Sequence, residues 1–181
     1  MKIAQQLKDK NIAEYLIYMW QVEDMIRANG CDIDQMERNV LAAYPCSEEE
    51  KGPLKQWYSD LINMMREEGV SEKGHLRINH NVIINLTDLH SQLLSSSQFP
   101  FYSSAYFKAL PYIVELRAKN NKKEEPELET CFEALYGVML LRLQKKAVSE
   151  GTEKAVKTIA SLLSMLANYY DKNKKGELKL E

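Results

Sequence analysis

The stretch Thr152-Glu153-Lys154-Ala155-Val156-Lys157-Thr158-Ile159-Ala160-Ser161-Leu162-Leu163-Ser164-Met165-Leu166-Ala167-Asn168-Tyr169-Tyr170-Asp171 is built for one amphipathic helix. At 100° per residue, Ala155, Ile159, Leu162, Leu166 and Tyr169 share one face, while Lys157, Ser161, Ser164 and Asn168 share the other. One side is to be buried and the other wetted, so an outer helix packed on other helices is expected. The same period recurs along the chain. Val82-Ile83-Ile84 is the only β-branched cluster, and it lies inside a longer helical period. The pattern predicts an all-α fold.

Glycine and proline punctuate that pattern. A first helix is predicted from about Ile3 or Lys8 to Asn29, with Gly30 as its left-handed stop. A second starts at Asp32 or Asp34 and ends at Tyr44, before Pro45. Ser47-Glu48-Glu49-Glu50 has the form of a capping box and opens a third. Gly52-Pro53 is expected to break its opening turn, and Gly69 to end it. A fourth helix follows from about His75 to Ser96, and a fifth from about Ser103 to Lys119, with a kink expected at Pro111. A sixth begins at Pro126 and continues to Glu150, stopped by Gly151, and Thr152 caps the seventh. Short connections favour antiparallel neighbours. The expected architecture is an antiparallel bundle of six or seven helices, one domain over residues 1–171, with 172–181 as a flexible tail.

Composition narrows the function classes. The formal charge of −2 creates no field that would draw nucleic acid, and no partner of that kind is expected. Cys31, Cys46 and Cys131 form no CxxC pair, so a disulfide framework and a cysteine zinc site are not expected. The N-terminus turns charged at once and no stretch is long and apolar enough for a bilayer, so a reduced, cytoplasmic setting with no membrane partner is expected. Phosphate-binding glycine loops and nucleophile elbows are missing. No cofactor, no metal and no catalytic residue is assigned.

Polar residues inside apolar arcs are more informative. Glu23 lies near the middle of the first helix's arc (Ile12, Tyr15, Leu16, Met19, Val22, Ile26), and Arg27 lies at its edge. Asn79 and His90 fall inside the arc of the fourth helix. Apolar side chains from Leu128 to Leu143 cover most of the sixth helix, as expected of a central helix, yet Arg142 falls among them. A buried charge must find a partner, so Glu23 is expected to pair with Arg142 or Arg27. Glu23, Arg27, Asn79, His90 and Arg142 are therefore candidates for a ligand pocket or a structural polar network. Phe99, Phe101 and Tyr102 head an aromatic-rich stretch and are candidates for a partner surface.

The segment Asn11-Ile12-Ala13-Glu14-Tyr15-Leu16-Ile17-Tyr18-Met19-Trp20-Gln21-Val22-Glu23-Asp24-Met25-Ile26-Arg27 resembles the opening helix of a family of uncharacterised all-helical proteins of Bacteroides-type bacteria, classed as a domain of unknown function. The resemblance extends over nearly the whole chain and includes the Asn79-His80-Asn81 region. It implies an all-helical bacterial cytoplasmic protein and supplies no activity or site. Taken together, the residues favour a non-catalytic helical protein acting through protein contacts, as a homo-oligomer or with another protein partner. The alternative is a small-molecule binder or enzyme with a polar pocket between the first, fourth and sixth helices.

Overall fold

The computed structural model describes residues 2–121 and 124–179, and every regular element among them is helical. In chain order these are α1 (Lys2–Lys10), α2 (Ile12–Ala28), α3 (Ile33–Asn39), a 3-10 turn (Leu41–Ala43), α4 (Glu48–Glu67), α5 (Arg77–Ser95), α6 (Pro100–Lys119), α7 (Glu127–Leu143) and α8 (Glu150–Lys174). The protein is an all-α helical bundle.

Local capping chemistry explains where these helices depart from the periodicity. The expected first helix is two, because the Asn11 side chain accepts the Ala13 N–H at 3.1 Å and starts α2 afresh. Asp32 caps α3 by accepting from the Gln35 N–H at 2.8 Å. The chain then tightens into the 3-10 turn instead of running helically to Tyr44. In α4 the Glu50 carboxylate reaches back to the Ser47 N–H at 3.2 Å, the capping box expected there. Gly52-Pro53 does not break the helix. Pro53 removes one N–H, but the carbonyl left over belongs to exposed Glu49, where water can reach it.

Left-handed residues close several helices. Gly30, Gly69 and Gly176 do so at φ between +65° and +70°. Helix α7 ends the same way, but on a lysine. Lys145 sits at φ +56°, its N–H bonds the Arg142 carbonyl, and the Lys146 N–H bonds the Leu141 carbonyl, both at 2.9 Å. This Schellman closure ends α7 well before Gly151, which lies instead in the first turn of α8. Ser149, not Thr152, caps α8, accepting the Thr152 N–H at 3.2 Å. Lys145→Gly relieves the clash of a Cβ in the left-handed region. It should raise the unfolding free energy by about 0.5–1 kcal/mol, read as a higher denaturant midpoint at unchanged slope.

Two other boundaries moved. Helix α6 starts at Pro100, whose missing N–H costs nothing at a first helical position, and runs unbroken through Pro111. Helix α8 continues to Lys174, so residues 172–174 of the expected tail are helical. Leu180 and Glu181, at the end of that expected tail, lie outside the described residues.

The chain divides into two compact units. The first contains α1 and residues 14–82, and its buried side chains include Leu16, Met19, Trp20, Ile26, Met36, Tyr58, Ile62, Met65 and Leu76. The second contains residues 11–13 and 83 onward, and buries Leu86, Leu93, Tyr102, Ile113, Phe132, Ile159, Leu162 and Leu166. The apolar face read for α8 is the buried one. From Glu127 to Leu141 helix α7 has no exposed residue, and its buried side chains, Leu128, Thr130, Cys131, Phe132, Tyr136 and Val138, spread over most of its circumference. Its last turn is open, with Leu143 68% exposed, so it is not the fully enclosed centre its composition suggested.

Candidate functional site

The chain enters helix α5 through Gly74-His75-Leu76, with no Ser, Thr, Asp or Asn where a cap belongs. Its first backbone donors are satisfied from elsewhere in the first unit. The Leu76 N–H donates to Glu23 Oε1 at 3.0 Å, and the Arg77 N–H donates to Glu68 Oε2 at 2.7 Å. Two carboxylates thus meet the positive end of one helix. Glu23 is wholly buried. It also accepts from Asn79 Nδ2 at 2.6 Å and pairs through its second oxygen with His75 Nδ1 at 2.6 Å. The His75 ring stacks on Trp20, with centroids 4.1 Å apart and planes 9° from parallel.

Arg27 completes this arrangement from one turn along α2. Its guanidinium lies 3.9 Å from Glu23 and 2.8 Å from Asp24. It also donates to the Val70 carbonyl at 3.2 Å and to the Gly74 carbonyl. The pair Glu23 and Arg27 therefore clamps the 70–76 connection: the anion takes its donors and the cation takes its carbonyls.

A second polar group lies in the second unit. His90 Nδ1 and the Tyr102 hydroxyl are 2.5 Å apart, and His90 Nε2 is 4.0 Å from Glu127. Burial lowers the His90 pKa, with Glu127 opposing, and burial raises that of Tyr102 far above the ordinary phenol value. A protonated tyrosine beside a neutral imidazole donates to Nδ1, which leaves the ring hydrogen on Nε2, toward Glu127. Tyr106 lies edge-on to the same ring at 5.1 Å, its hydroxyl pushed up to about 12 by burial and by Glu127. Cys131 is fully buried and its thiol is pushed up to about 12, so it packs as a small apolar group and not as a nucleophile.

The sequence profile of the family described as a domain of unknown function (DUF4924) matches residues 1–177. The chain belongs to that family. No curated protein and no solved structure matches it. The match takes in the helices of both units, far beyond the Asn11–Arg27 signature.

Within this DUF4924 chain the sequence candidates separate. Glu23, Asn79 and His90 are buried, as their helical positions predict. Glu23 takes Arg27 as its cation, but at ion-pair distance only. Arg142 is not its partner: it lies on the surface, 58% exposed, and pairs with Glu153 of α8 at 2.5 Å. The apolar arc containing Arg142 is itself open at that end of α7, so the guanidinium never leaves water. The aromatic candidates divide as well. Phe101 is 80% exposed, whereas Phe99 and Tyr102 are core residues packed edge-on to Tyr169, at 5.2 and 5.8 Å. The early start of α6 puts Phe99 and Tyr102 against the core, and they offer no partner surface. His75, Glu68 and Glu127 were missed. The uncapped start of α5 was the one available signal for the first two.

Proposed function

We propose that this protein is non-catalytic and acts through contacts with other protein chains. The observation that carries this is the outer face of α6. Phe107 is 64% exposed and Val114 55% exposed, with Pro111 and Ala118 exposed beside them on the same face. Exposed apolar side chains gathered on one helix face mark interaction surfaces, whereas single ones do not. Glu23 is occupied by helix-capping donors, and Cys131 is held as an inert thiol.

A photo-crosslinking amino acid placed at position 107 or 114 tests this in living cells of the host. Protein adducts should form at both positions and be scarce from the exposed polar position 88 on α5. Equal yields at all three positions would remove the basis for the proposal.

A further inference from the structure

Four of the exposed apolar residues of α6 share one face. Phe107, Pro111, Val114 and Ala118 are spaced four, three and four apart, the spacing of a helix–helix seam. They lie within one arc of the helix, roughly 60° wide at 100° per residue. We infer that this seam packs against the same seam of a second copy of the chain, antiparallel about a two-fold axis, which rests on the protein-contact reading above and names the partner.

Two features of the sequence on this face select a second copy. A two-fold axis level with the midpoint of Tyr112 and Ile113 sets Phe107 opposite Ala118 of the other copy, and Pro111 opposite Val114. The largest side chain then meets the smallest at both ends of the seam, the alternation that lets layers interdigitate. The second feature is charge. Lys108 and Glu115 are exposed and flank the same edge of the seam. The antiparallel two-fold brings that edge against itself. Lys108 of each copy then lies about two residues, or roughly 3 Å, along the axis from Glu115 of the other. The two-fold makes two such pairs, as an isologous contact requires. A parallel pairing would instead set this edge against Ser103, Leu110 and Arg117, which offer Lys108 no anion. Glu115 pairs with Lys119 within its own helix at 2.6 Å, a contact exposed enough to be shared at little cost. The seam is small against the roughly 800 Å² per partner of a standard interface, so association should be reversible and concentration-dependent.

Sedimentation of the full chain over micromolar to sub-millimolar concentration reads this directly. The unaltered chain should shift from monomer to dimer across that range, and Phe107→Glu should remain monomeric throughout. Lys108→Glu places like charges at both ends and should weaken association about tenfold. The double change Lys108→Glu with Glu115→Lys should restore it. Both side chains are exposed, so an unchanged thermal midpoint will show that these variants fold. A chain that stays monomeric, a dimer indifferent to Phe107→Glu, or a double change that fails to restore association overturns the inference. A monomer that still gives adducts to other proteins from position 107 in cells overturns the second copy as partner while leaving the protein-contact reading standing. The absence of both overturns both.

Discussion

Glu23→Ala is expected to lower the unfolding free energy by about 3–5 kcal/mol, the range for removing one member of a buried, hydrogen-bonded charge group. The carboxylate is wholly buried and takes the Leu76 N–H, the Asn79 amide and His75. Alanine leaves the first two donors in the interior without acceptors, each at a cost of about 1–3 kcal/mol. Glu23→Gln is milder. Its amide oxygen can still accept from Leu76 and Asn79, but it loses the negative charge that faces Arg27 and the start of α5. A loss of about 1–2 kcal/mol is expected. Denaturant unfolding at constant slope measures both, and hydrogen exchange at Leu76 locates the damage. An alanine variant within about 0.5 kcal/mol of the unaltered chain, the scale of an ordinary surface substitution, would refute the clamp.

Tyr102→Ala should cost about 3–5 kcal/mol, because a fully buried aromatic ring leaves a cavity against Tyr169 and His90. Tyr102→Phe keeps the ring and removes only the donor to His90 Nδ1, so about 1–2 kcal/mol is expected. The same pair sets a pH dependence. Burial lowers the His90 pKa, so below about 6.5, the ordinary histidine value, the unfolded chain takes up a proton that the folded chain resists. Stability from this group is therefore complete above that pH and declines as pH falls toward the lowered folded value. His90→Gln should flatten that part of the stability–pH curve. A curve of unchanged slope would mean that His90 titrates normally in the fold.

Whether the α6 seam finds a second copy bears on how a family of this kind works. A reversible symmetric contact would let concentration control whether Phe107 and Val114 are covered. A permanent one would make the dimer the functional particle.

Much of this protein was legible in its sequence. The period of 3.6 gave the all-α class, Gly30, Gly69 and the Ser47–Glu50 box marked helix ends, and the apolar arcs placed Glu23, Asn79 and His90 inside. These features are local: a helical period, a left-handed stop and a capping side chain each act within a turn or two of chain. Arg142, Tyr102 and the partners of Glu23 were not legible, because periodicity states which way a side chain points and not what stands there. Arg142 shares an apolar arc with Leu135 and Met139, yet its end of the arc meets water. A helix from Ser103 leaves Tyr102 outside it, whereas the start at Pro100 puts Tyr102 in the first turn of α6 and in the core. Glu23 caps a helix more than fifty residues away, at Leu76. Only the tertiary structure could join them, because the carboxylate and the donors it satisfies come together only when α2 packs against the start of α5.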